Sequence, residues 1–69
     1  MLNIRFGVMA PPLSRQLRKY NLDKEKVKQF QKDHDAINRL YIRGVIPLTT
    51  RERAHGVLNR NIRKEILGV

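Results

Sequence analysis

The chain has 69 residues, with 15 Lys and Arg against 6 Asp and Glu, a formal net charge of +9, a sequence pI near 11.0 and no Cys. The absence of Cys excludes a disulfide framework, a thiolate metal site and thiol catalysis, and no apolar run approaches the roughly 18 residues needed to cross a bilayer. Residues 1–69 are expected to form one small basic helical domain. So short a chain has a slim folding margin and little wall material for an enclosed pocket, which favours self-association and argues against an enzyme.

Residues 1–9 alternate, with Leu2, Ile4, Phe6 and Val8 on one side and Asn3, Arg5 and Gly7 on the other. That is the period of a strand. With no second strand in the chain, such a segment would pair with its copy in another molecule, lie against the helices, or stay loose. A start at Met9 would instead make residues 1–8 an extension of little consequence. The segment lacks the apolar core and cleavage site of a secretory signal, and the expected location is cytoplasmic, within the bacterial host cell if the chain is phage-encoded.

Pro11 and Pro12 close residues 1–11, and Leu13, Leu17 and Tyr20 predict a short helix over 12–20 with Pro in its first turn. Asp23 is a good N-cap for a second helix over 24–43, and Leu22 stands at staple spacing to Val27. Val27, Phe30, His34, Ile37 and Tyr41 recur at 3-4-3-4 intervals and make an apolar seam, taken as the self-association surface. Gly44 stops that helix. Thr49 with Glu52 reads as a capping box for a third helix over 50–67, whose buried face is expected to be Ala54, Val57, Leu58, Ile62 and Ile66. A short link between the two long helices predicts antiparallel packing. The expected fold is therefore all-α: a short N-terminal helix plus an antiparallel helical hairpin, with an N-terminal strand as an option and dimerisation favoured.

Charge is sorted along the chain. Residues 1–22 carry +4 and no acid, residues 23–43 carry +2 and residues 44–69 carry +3. On a helical wheel Lys28, Lys32, Arg39 and Arg43 cluster away from the Val27–Tyr41 seam, and Arg53, Arg60, Arg63 and Lys64 form a second stripe with Gly56 in its middle. Two such stripes point to a polyanion, with counterion release supplying the affinity; a solvated face is the plain alternative. The scarcity of aromatics off the seam favours duplex over single-stranded nucleic acid. A helix-turn-helix fits less well, because five residues separate the helices and Arg39 and Thr50 fall where apolar residues belong. A ribbon-helix-helix would need no helix between strand and hairpin. Asp33, His34 and Asp35 are consecutive on a helix, so they point about 100° apart and cannot converge on one metal. His34 reads as a core or interface residue, pH-sensitive if buried, and His55 as flanking the core. Nothing pairs a nucleophile with a base. No cofactor, metal, membrane or small-molecule partner is expected.

Residues 37–46 (INRLYIRGVI), followed by Thr49, Glu52 and a helix with Leu58 and Ile62, resemble the short C-terminal, or SHOCT, type of helical hairpin. With Met9, the Pro12–Ser14 stretch, residues 30–33 (FQKD) and residues 35–37 (DAI), the chain is similar to short proteins of Gram-positive bacteriophages and prophages. Pro47 and Leu48 lengthen the usual link, and Arg53 stands where that pattern has an aromatic. The resemblance implies a hairpin serving interaction or oligomerisation in a phage-type accessory protein, and carries over no catalytic residue. Two functions follow as expectations: a non-enzymatic, self-associating nucleic-acid binder using the two stripes, or an interaction module that inhibits or adapts a host protein with an acidic surface.

Overall fold

A computed structural model describes residues 4–68. Three helices follow in chain order: α1 (Leu13–Gln16), α2 (Lys24–Ile42) and α3 (Leu48–Leu67). α2 begins where Asp23 caps it, its carboxylate accepting from the Glu25 N–H at 2.9 Å. It ends in a full Schellman motif. Gly44 adopts φ +77°, its N–H donates to the Tyr41 carbonyl, and the Val45 N–H reaches back to Leu40. Gly68, at φ +73°, closes α3 in the same left-handed conformation. The hairpin is pinned at both ends. Lys26 Nζ meets Glu65 Oε1 at 2.7 Å, and the Arg51 guanidinium lies 4.4 Å from the centre of the Tyr41 ring.

α3 starts two residues earlier than its sequence suggests. Pro47, in an extended conformation, occupies the N-cap position, and its carbonyl accepts the Arg51 N–H at 3.1 Å. Thr49 therefore lies inside the first turn and makes no capping box, while Glu52 pairs with Arg51 at 2.8 Å. α1 is shorter than the 12–20 helix expected. After Gln16 the chain continues in tighter turns, with Tyr20 N–H donating to Leu17 and Leu22 N–H to Tyr20. A single turn offers too few hydrogen bonds to propagate against the cost of nucleation.

No strand occurs among the described residues. Of the alternating positions, Leu2 and Asn3 lie outside the described residues; Ile4 and Phe6 pack against the core as irregular chain. The Gln16 amide takes the place of a strand partner. Its Oε1 accepts the Arg5 N–H at 2.7 Å, and its Nε2 donates to the carbonyls of Arg5 and Pro11. Gly7, at φ +126°, then breaks the extended path.

The core consists of Leu13, Leu17, Phe30, Leu58 and Ile62, ringed by Ile4, Phe6, Tyr20, Leu22, Val27, Ile37 and Ile66. This placement corrects the reading of the α2 seam as a self-association surface. Phe30 and His34 are buried within the chain, Val27 and Ile37 pack on the core, and Tyr41 lies beneath Arg51. The N-terminal segment and α1 fold back over α2, so the seam is covered without a second molecule. On α3 the buried face is His55, Leu58 and Ile62, while Val57 is 50% exposed. The packing sets the expected stability losses. Ile62→Ala or Leu13→Ala should lower the unfolding free energy by about 2–4 kcal/mol, against under about 0.5 kcal/mol for the exposed Leu67→Ala, measured by urea denaturation.

Candidate nucleic-acid interface

All eight cations of the two stripes are exposed: Lys28, Lys32, Arg39 and Arg43 on α2, and Arg53, Arg60, Arg63 and Lys64 on α3. None is within ion-pair distance of a carboxylate among the described residues, where only Lys26 and Arg51 are engaged with acids. Glu65 holds the Lys26 ammonium above its usual pKa, and the Arg51 guanidinium holds the Glu52 carboxyl below its own.

Each stripe is placed by its helix. At 100° per residue, the α2 cations centre about 150° from the Phe30–His34–Asn38 face, and the α3 cations stand at a similar angle from His55, Leu58 and Ile62. Since α2 and α3 pack core face to core face, their stripes look outward on opposite sides of a body 35 × 19 × 19 Å in extent. The structure thus does not merge the eight residues into one surface. Arg60, Arg63 and Lys64 surround a shallow depression of about 390 Å³ whose floor includes Gly56. Among the described residues a Cβ at Gly56 would meet nothing within 4 Å, so none of them requires the glycine. Arg39 and Arg43 border another depression, of about 400 Å³, together with Gly7, Val8 and Ile42. A third basic patch, Arg15, Arg18 and Lys19 beside Gln16, gathers on and just after α1. Its signal in the sequence was the acid-free run before Asp23.

Asp33 and Asp35 diverge, the first accepting from Gln29 Nε2 and the second from Gln31 Nε2. No cluster able to hold a metal occurs among the described residues. His34 and His55 meet instead inside the protein, 4% and 5% exposed, with ring centres 5.7 Å apart. The Phe6 ring completes the stack, 5.5 Å from His55 and 6.1 Å from His34. The pattern of apolar residues gave His55 only a flanking place; its spacing to Leu58 and Ile62, three and seven residues on, is the signal that puts it on the buried face.

The hydrogen bonds around His34 select one tautomer of its neutral ring. The Gly7 N–H can only donate, and it points at His34 Nε2 at 3.3 Å, with the Asn38 amide 3.2 Å from the same nitrogen. Nε2 is therefore the acceptor, and the proton of neutral His34 sits on Nδ1, 3.5 Å from Asp35 Oδ1. Burial, then the neighbouring His34 and Arg51, push the pKa of His55 down, with Glu52 opposing. A folded-state pKa below the unfolded value means that the unfolded chain binds more protons on acidification. Stability is then fully present above the ordinary His pKa near 6.5 and falls as pH drops through the folded value. Melting temperature should decline between about pH 7 and pH 5, and the decline should be shallower in His55→Phe, measured by thermal circular dichroism. Comparison with known protein families, with curated proteins and with solved structures finds no match to this chain.

Proposed function

We propose that this chain is a non-enzymatic, basic accessory protein of phage type that self-associates and binds nucleic acid, with duplex favoured. The observation that carries the reading is the set of eight exposed stripe cations, none neutralised by a carboxylate among the described residues. Phosphates approaching them displace counterions rather than internal partners, so little electrostatic gain is lost to breaking existing bonds. Duplex is favoured because the aromatics are engaged. Phe30 is buried, Phe6 is in the histidine stack, Tyr41 is covered by Arg51, and Tyr20 is half-buried against the core. Base-stacking platforms for a single strand are thus scarce. Since the stripes face apart across about 19 Å, a single copy offers a duplex one stripe at a time.

One observation favours a second reading, docking to a host protein with an acidic surface. The α2–α3 turn exposes Leu40, Ile42, Val45 and Leu48, and Arg39 and Arg43 stand beside them with no acid between residues 36 and 51. A partner with an apolar patch rimmed by carboxylates would complement that end of the molecule.

A salt series tests the first reading. With four phosphate contacts from one stripe, affinity for a generic duplex should fall roughly 100-fold between 50 and 200 mM salt. Arg60→Glu with Lys64→Glu should weaken binding only about twofold, because the α2 stripe remains, whereas adding Lys32→Glu and Arg39→Glu should weaken it at least tenfold at low salt and flatten that dependence, read by fluorescence anisotropy. A flat salt response would sink the phosphate contacts. Partners retained after nuclease digestion in a pull-down would favour the second reading.

A further inference from the structure

Six of the eight large apolar side chains that stand exposed among the described residues gather at one end of the molecule. Leu40 and Ile42 belong to the last turn of α2, Val45 to the turn that follows, and Leu48 is the first residue of α3. Val8 joins them from the N-terminal segment, sharing with Ile42, Arg39 and Arg43 the rim of the depression of about 400 Å³, and Met9 follows it in the same turn. Met9 is 95% exposed, and Ile42 and Val45 are each 64% exposed. The set draws on three separate segments, so no apolar run and no single helix face contains it. That is why the residue pattern alone points to no lipid partner.

Charge at this end has one sign. Arg39 and Arg43 are exposed and have no carboxylate within ion-pair distance among the described residues. No acid lies between residues 36 and 51, and none precedes Asp23. The nearest acids stand back from the tip. Asp35 is about 10 Å from Ile42 along α2, and Glu52, one turn into α3, is paired with Arg51.

Shape then decides between two kinds of partner. The long axis of the 35 × 19 × 19 Å body runs along the hairpin, whose helices are each about 30 Å long. The tip therefore presents on the order of 360 Å² to a flat surface, less than half of the ~800 Å² that each partner gives to a standard protein interface. A protein would need a cleft that encloses the tip. A lipid interface needs none: it deforms around projecting apolar side chains, and an anionic headgroup layer supplies phosphates for the two arginines.

We propose that this end of the hairpin seats peripherally in the interface of an anionic lipid bilayer, with Met9, Ile42 and Val45 at the acyl boundary and Arg39 and Arg43 against headgroup phosphates. The proposal goes beyond the function above and does not depend on nucleic-acid contacts. Arg60, Arg63 and Lys64 lie about 18–24 Å from Leu48 along α3, more than twice the ~8 Å screening length at physiological salt. They add little to the lipid contact and stay open to a polyanion.

Co-sedimentation of the full chain with vesicles at physiological salt tests this, with pure phosphatidylcholine in one arm and one-third phosphatidylglycerol in the other. The wild type should partition onto the anionic vesicles at least tenfold more strongly than onto the neutral ones. Ile42→Ser with Val45→Ser keeps the net charge and should lower that partition at least tenfold, with helix content unchanged by circular dichroism. Arg60→Ser with Lys64→Ser should lower it less than about threefold. A wild type that stays in the supernatant with anionic vesicles overturns the proposal and leaves an acidic host protein as the partner of that end. A loss from the Arg60 and Lys64 pair as large as that from the Ile42 and Val45 pair, or no loss from the latter, is adsorption by net charge and overturns it too.

Discussion

The arrangement depends on Leu13 and Leu17, which pack into one core with Phe30 of α2 and with Leu58 and Ile62 of α3. Both leucines are essentially without solvent contact, as is Ile62. A two-helix hairpin alone would leave half of each apolar face wet. α1, though a single turn, supplies the third wall, and the N-terminal segment extends it through Ile4 and Phe6. Closure on three sides fixes the rotation of both long helices about their axes. That rotation in turn decides where every charge goes. With the Phe30–His34 face of α2 and the Leu58–Ile62 face of α3 turned inward, the cations opposite them are driven to the two outer edges.

The polar part of this core is harder to build than an apolar one. His34, Asn38 and His55 are buried together, and His34 Nδ1, Asn38 Oδ1 and His55 Nε2 have no hydrogen-bond partner among the described residues. Unsatisfied buried groups cost on the order of 1–3 kcal/mol each. His34 stacked on His55, and His55 stacked on Phe6, recover part of that through ring contact. The Gly7 N–H bond to His34 then ties the irregular N-terminal segment to a helix that is itself held at both ends. A leucine at position 34 would pack as well and bind nothing at Gly7. The histidines therefore define where the N-terminal segment ends its path across the hairpin.

How much of this was legible follows from which residues carry their signal locally. Asp23 and Gly44 bracket α2 through chemistry confined to a few neighbouring residues, and both act as their types suggest. Gly68 ends α3 for the same reason. Thr49 and Glu52 misled because Pro47 can itself stand at the N-cap, with its fixed φ and its free carbonyl, and the helix begins at the first position available. The alternation of Ile4, Arg5 and Phe6 does describe burial, yet the hydrogen bonds of a strand partner come from Gln16, eleven residues away, which no periodicity marks. The stripe residues were legible singly, because exposure follows from the wheel. Their separation onto opposite faces was not, since it depends on how two helices rotate against each other and against α1.

That separation bears on what assembly would accomplish. In one copy the α2 stripe and the α3 stripe look away from each other, and long-range repulsion among the excess cations opposes bringing two copies together. A polyanion spanning two copies, lying on one stripe of each, would neutralise part of that charge, so that phosphate binding and assembly would reinforce each other through charge alone.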